Sequence, residues 1–169
     1  MIIKLNDVEF FDYVVEILSF LSFHYITIKR SHFDFGELLA LAAEFNSLEI
    51  VNYIIRAHNY TRRIDLSDQD YLKALSRSPL SKNYEIFLKL TEYAIIPEPN
   101  NRKYDRNIAN HQIMLECYTN SIRSGQIECV EWLLAQTKWN PFNNTHKART
   151  ITCFKEAAFM NNQYNKYDK

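Results

Sequence analysis

The side chains best suited to covalent chemistry in this chain of 169 residues are its cysteines and histidines. Cys117 lies six positions after His111, and Cys153 lies seven positions after His146. A cysteine nucleophile needs a base close to it in space, and neither separation along the chain provides one by a structural mechanism. Cys129 occupies an apolar position of a repeated pattern, which favours a place in the core. We therefore expect no catalytic residue, and a small enzyme that uses a Cys/His site is the alternative.

Metal and cofactor chemistry is not expected either. The five histidines are His24, His32, His58, His111 and His146. They are scattered and lack the spacing of a zinc site. Since Gly36 and Gly125 are the chain's two glycines, a loop that cradles phosphate is excluded. The three cysteines form no CxxC pair, which favours a reduced, cytosolic setting. From the histidines, glycines and cysteines together, we expect neither a metal nor a cofactor.

Two basic segments have aromatic neighbours. Arg62 and Arg63 follow Tyr60, and residues 101–106 (NRKYDR) form the second segment. This combination can stack on single-stranded nucleic acid. However, Lys plus Arg and Asp plus Glu number 20 each, so the formal net charge is zero and nucleic acid is not the expected partner. A solvated loop is the simple structural interpretation, and protein recognition is the expected functional use, because Tyr and Arg are enriched at binding hot spots.

The composition indicates one folded domain over residues 1–169, since 47% of the residues are apolar and 14% are aromatic. The first residues lack the uninterrupted apolar core of a signal peptide. The most apolar stretch, residues 10–23, contains Asp12 and Glu16 and is too short to span a bilayer. We expect a soluble, cytoplasmic monomer without a membrane partner.

The elements that position these residues follow a repeated pattern. Four segments begin with Glu and continue with apolar residues, and they are 16–21 (EILSFL), 49–55 (EIVNYII), 85–90 (EIFLKL) and 128–134 (ECVEWLL). Their leading glutamates are 33, 36 and 43 positions apart. In the second and fourth segments the apolar residues fall at i, i+1, i+4 and i+5, which places them on one stripe of a helix. The pattern therefore predicts four helices, the first over about residues 8–23 with Asp7 as its cap.

A segment with small residues precedes three of these helices, at residues 38–43, 72–75 and 117–122. Small residues allow a helix to approach its neighbours closely. Asn46 and Gly125 stand between the two helices of their units, and these residue types tolerate a left-handed backbone at a helix C-terminus. Each unit is therefore predicted to be a helix, a tight turn and a second helix.

Residues 42–55 (AAEFNSLEIVNYII) and 121–134 (SIRSGQIECVEWLL) resemble the centre of an ankyrin repeat. The family repeat has 33 residues, with two short antiparallel helices and a projecting loop or hairpin. The Thr-Pro-Leu-His opening of the family is absent, and residues 78–81 (SPLS) stand where the middle unit should have its tight turn. Tetratricopeptide-like repeats are the alternative, but the polar stretch 58–68 fits a projecting finger better than a turn between two helices.

The resemblance implies an all-α, ankyrin-like helical repeat solenoid of three to four divergent helix-turn-helix units with projecting loops. The expected divisions are an N-terminal helical cap or degenerate repeat (1–30), repeats (33–66, 68–95 and 113–145), an inserted loop (96–112) and a C-terminal half-repeat or cap (150–162). A helix is expected to start near Asn110, after the inserted loop.

The resemblance also implies a protein–protein interaction module or adaptor. The usual binding surface in this family is the concave side, formed by the fingers and the first helix of each repeat. Carried onto this sequence, it consists of Glu37, Ala40, His58, Tyr60, Arg62 and Arg63. The composition resembles divergent repeat proteins of intracellular bacteria and large DNA viruses, which implies a secreted effector that binds a host protein in the host cytosol. An adaptor within its own cell is the alternative.

Overall fold

A computed structural model describes residues 7–24, 34–61, 64–96, 108–136 and 151–159. Within these ranges the regular structure is entirely helical, so the predicted all-α class is confirmed for them. The α-helices are α1 (Val8–His24), α2 (Phe35–Glu44), α3 (Leu48–Arg56), α4 (Asp68–Arg77), α5 (Tyr84–Thr91), α6 (Ile108–Ser124), α7 (Ile127–Gln136) and α8 (151–159). None of the described helices has both the length and the apolar character needed to cross a membrane.

Tight turns join α2 to α3 and α6 to α7. Asn46 and Gly125 adopt the left-handed conformation at these turns, with φ of 61° and 74°, as the sequence predicts. The amide of Ser47 donates a hydrogen bond to the carbonyl of Ala42 over 2.9 Å, and the second turn repeats this bond between Gln126 and Ser121. These bonds satisfy carbonyls that a helix C-terminus otherwise leaves free.

The middle unit turns at a different place from the one the sequence indicated. A single 3-10 turn, Ser78–Ser81, extends α4, and its Ser78 and Pro79 are buried. The left-handed residue is Lys82, with φ of 58°. Asn83 then caps α5 by accepting a hydrogen bond from the amide of Glu85. The four extra residues therefore lengthen the first helix of the unit instead of forming the turn itself.

The first helices of the three units pack side by side, since α4 contacts both α2 and α6. The residues buried along these contacts include Gly36, Ala40 and Ala43 of α2, Ala74 of α4 and Ser121 of α6. Because these side chains are small, the helices approach closely. Among the second helices, α5 contacts α7 less extensively than the first helices contact one another.

Gly36 marks the closest approach of α2 to α4. A Cβ atom at this position would lie 2.1 Å from Oδ1 of Asp70 and 2.9 Å from its Cβ. Asp70 is held there because it forms a capping box with Ser67 at the start of α4. The absence of a side chain at position 36 therefore allows the two N-terminal ends to meet.

The second helices bury the apolar stripe that the sequence predicted. Ile50, Val51, Ile54 and Ile55 of α3 are all in the core. Cys129 of α7 is buried as well, which confirms its predicted place in the core.

Helices also lie near the two ends of the described part of the chain and after the expected inserted loop. The helix α1 starts at Val8, and the carboxylate of Asp7 caps it by accepting a hydrogen bond from the amide of Phe10. The helix α6 starts at Ile108, inside the range 96–112 that was expected to be a loop, and residues 97–107 lie outside the described residues. Residues 151–159, within the expected C-terminal half-repeat, form α8.

Candidate functional site

Four of the six predicted binding residues lie in the segment that follows α3. The helix continues directly into one π-helical turn, Ala57–Thr61. Tyr60 belongs to this turn and is 83% exposed. Arg62 and Arg63 lie outside the described residues. The expected finger therefore begins as a widened continuation of α3, and its large aromatic side chain faces solvent.

His58 binds the backbone that follows this segment, at residues 64–66. Its Nδ1 atom lies 3.1 Å from the carbonyl oxygen of Ile64 and 3.2 Å from the amide nitrogen of Leu66. An unprotonated Nδ1 accepts from the Leu66 amide, whereas a protonated Nδ1 donates to the Ile64 carbonyl. Since Ile64 and Leu66 are themselves buried, the backbone of residues 64–66 is tied to the core. His58, which is half-buried, thus positions the segment that carries Tyr60.

Aromatic rings pack against His58 of the π turn in a continuous row. The ring of Tyr71 contacts the ring of His58 edge-on, with centroids 6.0 Å apart, and it stacks on Tyr93 at 5.6 Å. The ammonium group of Lys89 lies 5.4 Å from the centroid of Tyr93. Burial, with Tyr93 and Asp70 nearby, raises the pKa of Tyr71 to about 12, so its hydroxyl is neutral. The packed rings give the base of the segment a fixed shape.

A row of ion pairs joins the exposed sides of α2 and α4. Glu37 binds the ammonium of Lys73 over 2.5 Å and the guanidinium of Arg77 over 2.7 Å. Arg77 also lies 3.7 Å from the carboxylate of Glu44. The hydrogen bond from Lys73 lowers the pKa of Glu37, partial burial opposes it, and Arg77 lowers the pKa further. Glu37 therefore carries its charge on a surface whose two acids and two bases balance.

Glu37 is among the residues predicted from the sequence, but its three charged neighbours are not. A signal for them exists in the helix register, because Glu37 and Glu44 are separated by i, i+7 and Lys73 and Arg77 by i, i+4. Each pair therefore lies on one face of its helix. The sequence does not show that these two faces of α2 and α4 meet, because that depends on how the helices pack.

Ala40 is a correction to the predicted binding residues. Its exposed fraction is 0%, because α2 packs on α4 at this position. Its methyl group is part of the helix contact and offers no surface to a partner. Repeat register had placed Ala40 on the binding face, but its small side chain instead serves the close approach of the two helices.

The described end of the predicted finger leads into the start of α4, which lies against the start of α2. Residues 64–67 lead directly into the N-terminus of α4. Gly36, beside Glu37, lies against Asp70 in the first turn of that same helix. The segment with Tyr60 is thus connected to the surface with Glu37 through a short, capped piece of chain.

Two of the three cysteines, Cys117 and Cys129, have buried thiols. The thiol of Cys117 donates to the carbonyl of Leu75 over 3.6 Å. Burial raises the pKa of Cys117 well above its ordinary range and that of Cys129 to about 12, so both thiols are protonated at neutral pH. Within the described ranges, no group of three or more His, Cys, Asp or Glu residues could hold a metal ion.

Comparisons of the chain with protein-family models, with curated proteins and with solved structures each gave no match.

Proposed function

We propose that this chain is a protein-binding module, formed by ankyrin-like helix-turn-helix units in a short solenoid. Its partner binds across the π turn that carries Tyr60 and the adjoining start of α2 and α4. The observation that carries this proposal is Tyr60 itself, a large aromatic side chain 83% exposed on a segment anchored from below. The anchors are His58 and the buried Ile64 and Leu66.

The energetics of association favour this arrangement. A partner that binds a mobile loop must first order it, and that ordering weakens the complex. Here the hydrogen bonds to His58 and the rings of Tyr71 and Tyr93 already hold the base of the segment. Tyrosine loses little conformational freedom on binding and presents both an apolar ring and a hydroxyl, which is why it is frequent at hot spots.

The charged surface of α2 and α4 contributes specificity. Glu37, Lys73 and Arg77 already bind one another, so a partner meets alternating charges in a set arrangement rather than a field of one sign. Such a surface selects a partner through the complementarity of individual groups. An effector delivered into a host cell and an adaptor within its own cell would both use this surface in the same way.

The alternative class, an enzyme with a Cys/His site, receives less support. Such an enzyme needs a thiolate, and of the three cysteines Cys117 and Cys129 have thiols that are protonated because they are buried, whereas Cys153 is half-buried. The interaction proposal requires no such activation.

The test places a photo-crosslinking amino acid at position 60, with position 88 on α5 as the matched control. Leu88 is also an exposed apolar residue, but it lies on α5, the second helix of the middle unit, outside the proposed surface. We expect a specific protein adduct from position 60 and none from position 88. With the partner identified, Tyr60→Ala should weaken binding by about 2 kcal/mol, which is about thirtyfold in Kd, while Leu88→Ala leaves it unchanged.

Equal adducts from the two positions, or equal affinity of the Tyr60→Ala and Leu88→Ala variants, would contradict the proposal. Circular dichroism of both variants checks that they remain folded.

A further inference from the structure

One ring nitrogen of His58 lies within hydrogen-bond distance of two backbone groups of opposite character. Its Nδ1 atom is 3.1 Å from the carbonyl oxygen of Ile64, which can only accept, and 3.2 Å from the amide nitrogen of Leu66, which can only donate. A ring nitrogen of histidine either carries a proton and donates, or lacks one and accepts. His58 therefore binds one of the two groups at a time, and the proton on Nδ1 determines which one.

The neutral ring binds the amide of Leu66. Ile64 and Leu66 are 1% and 7% exposed, so a backbone group that loses His58 has little access to water. A buried amide without a partner is rarer in proteins than a carbonyl that is not fully satisfied, because the carbonyl oxygen has two lone pairs. The neutral ring therefore carries its proton on Nε2, and Nδ1 accepts the hydrogen bond from Leu66.

The protonated ring binds the other group. Both nitrogens of an imidazolium carry a proton, so Nδ1 donates to the carbonyl of Ile64, and the charge of the ring strengthens this bond. The amide of Leu66 then faces an N–H group and loses its acceptor. The attachment of the chain to His58 thus moves from Leu66 to Ile64, just before Ser67 begins the capping box of α4.

The ionisable side chains around His58 include no carboxylate that pairs with its ring. On α4, Tyr71 contacts the ring and is neutral, since burial raises its pKa to about 12. Asp70 of the same helix accepts hydrogen bonds in the capping box, and Tyr93 stacks on Tyr71. The ion pairs of the described residues do not involve His58. Further charged side chains on its own stretch of chain and on α5 are Arg56, Asp65 and Lys89.

We propose that His58 is a pH-sensitive latch on the connection between the π turn and α4. The neutral ring holds the amide of Leu66, and acidification releases this amide and binds the carbonyl of Ile64 instead. Histidine is the side-chain type whose charge ordinarily changes between about pH 5 and pH 8. The latch follows from the geometry at His58 and does not require that the surface with Tyr60 binds a partner.

The experiment follows the full chain by NMR from pH 8 to pH 5. Nitrogen chemical shifts of the His58 ring report its tautomer and charge. Hydrogen exchange of the Leu66 amide is expressed as a protection factor, which removes the intrinsic pH dependence of exchange. We expect the proton on Nε2 at pH 8, and a loss of Leu66 protection by about tenfold that follows the titration of the ring. The control is the amide of Ser47, which donates to the carbonyl of Ala42 and should keep its protection.

The variant His58→Asn separates the latch from a general effect of acid. Its side-chain oxygen accepts from the Leu66 amide and does not titrate, so the protection of that amide should be the same at pH 8 and pH 5. The measurements on the native chain test the proposal whether or not this variant folds. Tyr60→Ala should titrate as the native chain does, which separates this test from that of the proposed function.

Four results would overturn the latch. They are a ring that carries its proton on Nδ1 at pH 8, Leu66 protection that does not follow the titration of the ring, an equal loss of protection in His58→Asn, and an equal loss at the amide of Ser47. The last two would show that acid loosens the fold as a whole rather than through His58.

Discussion

The helices α1 and α2 treat their outward faces in opposite ways. α2 pairs its half-buried carboxylates with a neighbouring helix, since Glu37 binds Lys73 and Arg77 of α4. α1 instead exposes the apolar side chains of Phe10, Tyr13 and Ile17. The charges of α2 are therefore paired across to α4, whereas α1 leaves a stripe of apolar side chains exposed.

The largest expected effect comes from placing the same charge in both regions. Ala40→Asp would put a larger, charged side chain into the buried contact between α2 and α4, where it has no room, and should lower the free energy of unfolding by about 4 kcal/mol. Tyr13→Asp, on the exposed face of α1, should change it by no more than about 0.5 kcal/mol. Urea unfolding followed by circular dichroism measures both. Similar losses in the two variants would show that the faces do not differ as described.

A smaller loss is expected from a single methyl group at Gly36. In an ordinary helix Gly→Ala is stabilising by about 0.5–1 kcal/mol, but here the new Cβ would meet Asp70. Either α2 and α4 separate or the capping box at Ser67 opens, so we expect a loss of about 2 kcal/mol in the same unfolding measurement. The control is Asp68→Ala, an exposed change in the same first turn of α4. A Gly36→Ala variant as stable as the native chain would contradict this close approach.

The elements of this fold were more accessible from the sequence than their contacts. Asn46 and Gly125 predicted left-handed turns because the conformational preference of these residue types is local. The turn at Lys82 was missed, since Lys has no such preference and the buried Ser78 and Pro79 displace the turn along the chain. Local patterns therefore located the helices, but not the point at which an insertion is absorbed.

The predicted binding residues show the same difference between local patterns and packing. Tyr60 is exposed as expected, because a polar stretch after an apolar stripe indicates a surface segment. Ala40 was assigned to that surface from repeat register, but register alone does not say which side of α2 faces α4. Which side is buried depends on packing between units far apart in sequence, and a single chain without an alignment carries no direct record of it.

The contribution of His58 should be visible locally. In His58→Gln the amide group lies one bond too far along the side chain, so the Leu66 amide loses its partner and its hydrogen exchange should accelerate. In His58→Asn the side-chain oxygen takes the place of Nδ1 and should preserve protection. We expect the Gln variant to lose about 1 kcal/mol, as for one hydrogen bond. Equal hydrogen exchange of the Leu66 amide in the two variants would show that the side chain of His58 does not order the segment.

The smallest effect concerns the balanced face of α2 and depends on pH. The folded state lowers the pKa of Glu37 below its ordinary 4.5, chiefly through the hydrogen bond from Lys73. The stabilisation is therefore fully present above about pH 4.5 and is lost as the pH falls from there through the folded pKa. Between pH 7 and pH 3, the free energy of unfolding should fall less steeply in Glu37→Gln than in the native chain. Glu116→Gln, an exposed change on α6, should retain the native slope, since the ion pairs of α2 with α4 remain intact in it.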